Sequence, residues 1–270
     1  MILADCHTHT TFSFDARDNE HSDPENMIRT AIAKGLKYYS ITDHEDGPRD
    51  DIDYHFDSDE YFKVLTALKN KYSNQIDVGV GIEIGLDPKY TDYSNRIVAS
   101  KPFDIVVGSV HYVYGIDPYY PEYFRDRTFD EGYRRAFEYT LECLNSGADF
   151  DILGHIDYVA RYGDRNNGDG FYSRFGDILD EILTKVIQEG KGIEVNTAGL
   201  KYKMPYPNPS KEIVKRYREL GGEIITVSSD AHRPEHIAYD FGGMSDFLTD
   251  CGFKYYTIFN NRKKTFINVC

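Results

Sequence analysis

Short runs of apolar, largely β-branched residues recur along the 270-residue chain at positions 2–4, 38–41, 78–84, 105–110, 152–153, 193–195, 224–227 and 255–259. Each reads as a strand buried on both faces, the pattern of a parallel sheet covered by helices. Helical periodicity fills the intervals. Asp23 and Pro24 open one stretch as N-cap and first helical residue, Met27, Ile28, Ala31 and Ile32 form its stripe, and Gly35 ends it. The stripe returns at Ile178, Leu179, Ile182, Leu183, Val186 and Ile187 before Gly190, while residues 129–145 form a further helix ended by Gly147. Asn208-Pro209 opens another, with Ile213, Val214, Tyr217 and Leu220 before Gly221.

Taking His7, His44, Glu83, His111, His155, Glu194 and Asp230 as one late-strand residue per unit gives a mean spacing of about 37 residues, room for a strand, a helix and two loops. Alternation that runs on without a linker or a shift in composition favours one closed α/β barrel over residues 1–270, a single domain. An open doubly wound sheet is the alternative, but no G-x-G-x-x-G follows a strand. Loops at 46–57, 87–94, 112–127, 161–172 and 198–208 follow strands, on the face where barrels build their sites.

With 31 Lys+Arg against 45 Asp+Glu, the net charge of −14 argues against a nucleic-acid partner, which requires a basic footprint. Four cysteines without C-x-x-C spacing point to a reducing compartment, the cytoplasm, rather than a disulfide scaffold. The first residues lack a basic and apolar leader, and no segment reaches the roughly 18 apolar residues of a membrane helix. The expectation is a soluble protein without a membrane partner. Monomer and homodimer both remain open, because Tyr-rich loops serve as a substrate rim or as a subunit contact.

Metal-competent side chains fall at the ends of six of the eight strands: Asp5, His7 and His9; Asp43 and His44; Glu83; His111; His155 and Asp157; Asp230 and His232. Any one such histidine is ordinarily a surface or core residue; six placed alike, on strand ends that converge at one mouth, form a site. His21, His55 and His236 fall elsewhere and are assigned to the solvated surface. Imidazoles with carboxylates and no thiolate suit Zn, Mn or Fe. His7 and His9, two apart on extended chain, point to the same side. These ligands exceed what one ion needs, and Glu83, from a central strand, is the natural bridge between two ions about 3.5–4 Å apart that polarise one phosphate and one shared water. Asp5, Asp43 and Asp157 are candidates to orient the imidazoles from behind. A phosphate dianion also needs cationic donors: Arg17, Arg161, Lys201 and Arg233 lie in post-strand loops, with Arg161 and Lys201 favoured for a catalytic role. Phe12, Phe14, Tyr112, Tyr158 and Tyr202 could stack on a substrate ring.

Asp5-Cys6-His7-Thr8-His9, Thr42-Asp43-His44, Gly81-Ile82-Glu83, Gly108-Ser109-Val110-His111, Gly154-His155-Ile156-Asp157 and Ser229-Asp230-Ala231-His232 together resemble the successive motifs of the PHP (polymerase and histidinol phosphatase) superfamily. Order, spacing and length are similar to its stand-alone histidinol-phosphate phosphatases. The resemblance implies a distorted TIM-like (β/α)7 barrel with two to three divalent ions at the C-terminal ends of its strands, and hydrolysis of a small phosphomonoester, L-histidinol phosphate foremost. It further implies a first metal on His7, His9, Glu83 and Asp230, a second on Glu83, His111 and His155, and a third on Asp15, His44 and His232. Asp15 stands where many relatives carry a histidine, which makes the third site harder. A phosphodiesterase or nuclease of the same superfamily, another small-molecule phosphatase, and a barrel merely braced by metal are the alternatives.

Overall fold

In the computed structural model, residues 1–49, 56–164 and 171–269 are described. Parallel strands form its centre: β1 (Ala4–Asp5), β2 (Tyr38–Ile41) with its continuation β3 (His44–Glu45), β4 (Asp77–Val80) with its continuation β5 (Ile82–Gly85), β6 (Val106–Ser109), β7 (Ile152–Leu153), β8 (Gly192–Asn196) and β9 (Ile225–Ser228). Pairing runs β1-β2-β4 along one stretch of the wall and β3-β5-β6-β7-β8-β9 along the rest. The circle closes where the chain after β1 meets the chain after β9. The Cys6 amide donates to the Val227 carbonyl at 3.1 Å, the Asp230 amide to that of His7 at 3.0 Å, and the His9 amide to that of Ala231 at 2.9 Å. Counting each interrupted strand once, seven strands close the barrel. Strand residues of β2, β6, β8 and β9 are buried throughout, as strands walled by helices outside and side chains inside must be.

The helices α1 (Pro24–Ala33), α2 (Ser58–Tyr72), α3 (Thr91–Ser100), α4 (Phe129–Leu144), α5 (Phe171–Gln188), α6 (Ala198–Lys201), α7 (Lys211–Glu219) and α8 (Met244–Asp250) lie between or after the strands. Asp23 caps α1 by accepting from the Asn26 amide, and Gly35 ends it at φ +81°. Thr128 and Glu131 form a reciprocal capping box on α4.

Several expectations are corrected. The run at 255–259 is no eighth barrel strand: β10 (Tyr255–Asn260) turns back on β11 (Lys263–Asn268) as an antiparallel hairpin. The hairpin packs at the N-terminal end, where the Phe259 carbonyl accepts from the Tyr38 hydroxyl at 2.7 Å and Thr257 Oγ1 from the Ile225 amide at 3.3 Å. The 78–84 run is broken at Gly81, where an added Cβ would lie 2.7 Å from side-chain carbons of both Ile105 and Thr42. The loop expected over 87–94 ends at Tyr90, where α3 begins. Helix α7 starts at Lys211 rather than at Pro209, since the Asn208 side chain is committed to Asp157 and Arg161. Among the described residues no helix is long and apolar enough to cross a membrane. Cys6, Cys143 and Cys251 are buried thiols, and Cys270 lies outside the described residues.

Candidate metal centre

Parallel register gathers the strand-end residues. His44 and Glu83 are direct partners in the β3–β5 pairing, and Glu83 is fully buried. Five imidazoles surround its carboxylate: His44 Nδ1 at 2.9 Å, His7 Nε2 at 3.2 Å and His9 Nε2 at 3.5 Å from Oε2, with His111 Nε2 and His155 Nε2 each 3.3 Å from Oε1. Neither oxygen has a hydrogen-bond partner among the described residues. A buried carboxylate left so is costly, while nitrogen-to-oxygen spacings of about 3.0–3.5 Å are the polyhedron edges that metal bonds of about 2.0–2.2 Å generate. The donor set therefore fits divalent ions.

Among the described residues three groups emerge: His7, His9 and Asp230; His44, Glu83 and His111; and His9, His44 and His232. His9 Nε2 lies 3.0 Å from His7 Nε2 and 3.3 Å from Asp230 Oδ1. Asp15 Oδ2 is 2.8 Å from His232 Nε2 and 3.7 Å from His44 Nε2, so the loop aspartate joins the cluster from its open side. His44 faces both Glu83 and Asp15, one ring between two of the expected groups.

Electrostatics follow from the packing. Burial alone would raise Glu83, but His7, His111 and His44 hold its carboxyl well below the usual range. Burial opposes charge on His7 too, and Glu83 with Glu194 overcomes it to hold that imidazole well above its ordinary value. His111, against Asp46 and Glu83, is likewise raised to about 10 despite burial. His9 goes the other way, lowered by burial and by His232 and His44.

The orienting carboxylates are Glu194 and Asp46, which the sequence reading did not assign. His7 Nδ1 lies 2.9 Å from Glu194 Oε1, and His111 Nδ1 2.8 Å from Asp46 Oδ1. Asp5, Asp43 and Asp157 pair with no imidazole among the described residues. Asp5 accepts from the Ser229 amide and hydroxyl and the Ala238 amide. Asp43 accepts from Thr10 and Ser13, and acts at one remove, since the Ser13 hydroxyl is 3.0 Å from His9 Nδ1. Asp157 accepts from Asn208 and the Ser210 amide. Glu194 is a buried carboxylate within β8, and its place in the regular spacing of late-strand residues was the available signal.

A cavity of about 820 Å³ opens over the cluster. All four expected cations line it, but unequally. Arg161 is buried, its Nε donating to Asn208 Oδ1 at 2.9 Å and its terminal nitrogens to Asp230 Oδ2 at 3.3 Å. Lys201 Nζ donates to the Asp230 carbonyl at 3.3 Å. Arg17 and Arg233 are exposed at the mouth. Phe14, Tyr112, Tyr158 and Tyr202 reach the cavity, joined by Tyr119, Tyr120 and Tyr162, whereas Phe12 packs against the core. His236 lines the cavity too, contrary to its assignment to the solvated surface; His21 is exposed as expected, and His55 lies outside the described residues.

The model of the PHP domain matches residues 5–198, which carry all the candidate ligands up to His155. The chain belongs to the PHP domain family. Its PHP relatives include a probable histidinol-phosphatase of Clostridium acetobutylicum, 33% identical over 94% of this chain and 95% of the relative. The histidinol-phosphatase of Lactococcus lactis is 30% identical over 86% of this chain and 85% of its own. A crystal structure of the Lactococcus lactis histidinol phosphate phosphatase, in complex with Zn, L-histidinol and phosphate, superposes with a TM-score of 0.86 at 26% identity, covering 97% of this chain and 98% of that one.

Proposed function

We propose that this PHP protein is a metal-dependent phosphomonoesterase that hydrolyses L-histidinol phosphate to L-histidinol and phosphate. One observation carries the reading: Glu83, buried and without a hydrogen-bond donor, lies among five imidazoles at the floor of an open cavity. The Lactococcus lactis relative, with zinc, L-histidinol and phosphate bound, supports the substrate.

The residue roles follow the family resemblance, while the geometric groups set His44 beside Glu83 and His111 and beside His9 and His232. His7, His9, Glu83 and Asp230 would hold one divalent ion, Glu83, His111 and His155 a second, and Asp15, His44 and His232 a third, with Zn, Mn and Fe all suited to nitrogen and carboxylate ligands. When bound, such ions polarise a phosphoryl oxygen and acidify a water. The chain supplies the rest. Arg161, fixed by Asn208 and Asp230, presents a rigid guanidinium to the equatorial phosphate oxygens, and Lys201 adds a second charge from α6. Arg17 and Arg233 draw the dianion in from the mouth. Closed metal sites brace folds, whereas this cluster faces a cavity wide enough for substrate. The protein works on a small molecule, in one barrel domain over residues 1–270, in the cytoplasm.

The test is phosphate release from a panel of small phosphomonoesters by protein reconstituted with Mn²⁺ or Zn²⁺, beside bis-p-nitrophenyl phosphate and a single-stranded oligonucleotide. Histidinol phosphate is expected to lead by at least roughly tenfold in kcat/KM, about 1.4 kcal/mol of discrimination. A flat monoester profile removes the substrate assignment and keeps the reaction class; faster turnover of the diester or oligonucleotide removes both.

A further inference from the structure

We propose that Arg49 is a positioning residue for the metal centre: its guanidinium fastens the loop after β3 to the loops after β5 and β6, and so holds Asp46 where its carboxylate orients His111. The proposal rests on the metal-dependent reading of the site and deepens it, since it names a residue that acts through another rather than on the ions themselves.

The bond to be held joins two loops. His111 follows β6 and Asp46 follows β3, a strand of two residues, and His111 Nδ1 lies 2.8 Å from Asp46 Oδ1. A carboxylate behind a ligating imidazole fixes its tautomer and the direction of its other nitrogen. Here that other nitrogen is His111 Nε2, which faces Glu83 Oε1 at 3.3 Å. Two residues of strand pairing leave the Asp46 backbone to be set by what packs on it. The carboxylate has little room, because a Cβ added to Gly85, at the end of β5, would collide with its Oδ1. A loop that shifted would therefore either lose His111 or press on the strand.

Arg49 supplies the fastening from three directions. Its Nε donates to the Asp46 carbonyl at 3.0 Å, its Nη2 donates to Asp87 Oδ2 at 2.9 Å, and its guanidinium lies 3.8 Å from the centroid of the Tyr112 ring. Asp87 is itself anchored where the loop after β5 turns toward α3, its Oδ1 accepting from the Lys89 amide and its carbonyl from the Tyr90 amide, each at 2.9 Å. Tyr112 directly follows His111 in the chain. One planar cation thus touches both ends of the Asp46–His111 bond, the backbone of the first residue and the neighbour of the second. The side chains of Arg49 and Asp87 are only 7% and 8% exposed. Such a buried pair adds little stability over apolar packing; what it supplies is a fixed geometry, in-plane donors with a stacking face, which lysine cannot reproduce.

The test is a double-mutant cycle read as metal affinity, by titrating metal-stripped protein with Zn²⁺ against a competing chelator, with Tm recorded alongside. Arg49→Lys keeps the charge opposite Asp87 and loses the fork; Asp46→Asn removes the orienting carboxylate. Each is expected to weaken one ion by about 10- to 100-fold and leave the others unchanged. Because Arg49 acts through Asp46, the double variant should bind within about twofold of Asp46→Asn alone. Losses that multiply in the double variant, or weaken every ion alike, would make Arg49 a general brace of the fold and overturn the proposal, as would wild-type affinity in Arg49→Lys. Should Arg49→Lys fail to fold, Asp87→Asn, which still accepts from the Lys89 amide, takes its place in the same cycle with the same expected outcomes. Wild-type protein that binds no divalent ion overturns the metal-dependent reading together with this one, whereas tight binding by wild type and variants alike overturns this one alone.

Discussion

At the scale of the residue, the centre depends on carboxylates with opposite tasks. Glu83 offers both oxygens to the space between imidazoles, whereas Glu194 spends both on donors from the protein. Its Oε1 accepts from His7 Nδ1, the Ser228 hydroxyl and Asn196 Nδ2, and its Oε2 accepts from the His155 amide at 2.8 Å. Burial would raise its pKa, but His7 and these hydrogen bonds hold it below the usual range, so it is ionised at neutral pH. Four donors converging on one group require an acceptor at every position. In Glu194→Gln an amide N–H faces one of them, and the bond that fixes the His7 tautomer is strained. We expect metal affinity or activity to fall about 10- to 100-fold, with the far-UV spectrum unchanged; metal titration that matches wild type would show that His7 is oriented by its other contacts.

At the scale of the element, close approach of strands decides what reaches the mouth. Gly81 joins β4 to β5 two residues before Glu83, and a methyl group there would press on Ile105 and Thr42 at 2.7 Å. Overpacking of this kind costs about 1–3 kcal/mol, so Gly81→Ala should lower Tm by roughly 2–12 °C. Gly242→Ala, where an added carbon meets nothing within 4 Å, is the control and should leave Tm unchanged. Equal melting of the two variants would remove steric contact as the reason for glycine. The same scale explains what could be read in advance. Strands buried on both faces announce themselves by short, mainly apolar and β-branched runs, and β2, β6, β8 and β9 were legible for that reason. An antiparallel hairpin plugging the barrel end also buries apolar side chains, and β10 carries a run that periodicity alone cannot distinguish from a barrel strand. Ligands at strand ends were visible because their placement repeats along the chain. Asp46 and Asn208, which orient His111 and Arg161, are placed by loop conformation and tertiary contact, and no spacing rule marks them.

At the scale of the whole molecule, the cluster joins the first strand to the last, since His7 and His9 follow β1 while Asp230 and His232 follow β9. Ions held there tie the seam of the barrel, and a ligand that binds only the folded state adds RT ln(1 + [L]/Kd) to stability. Chelation should therefore lower Tm as well as abolish activity. It should also change the proton count. Without ions, burial disfavours charge on His7, His44 and His111, but the surrounding carboxylates outweigh it and hold all three above the ordinary imidazole range, so they carry protons at neutral pH. A coordinating imidazole must be neutral. Rebinding of Zn²⁺ or Mn²⁺ to the stripped protein at pH 7 should expel protons, seen as a calorimetric heat that varies with the ionisation enthalpy of the buffer. Because a raised pKa means the proton is held until higher pH, apparent metal affinity should climb as pH rises from 6 toward the value of about 10 reached by His111. Binding heats independent of buffer, with an affinity flat across that range, would mean that the imidazoles are already neutral and that the ions do not replace protons at Glu83.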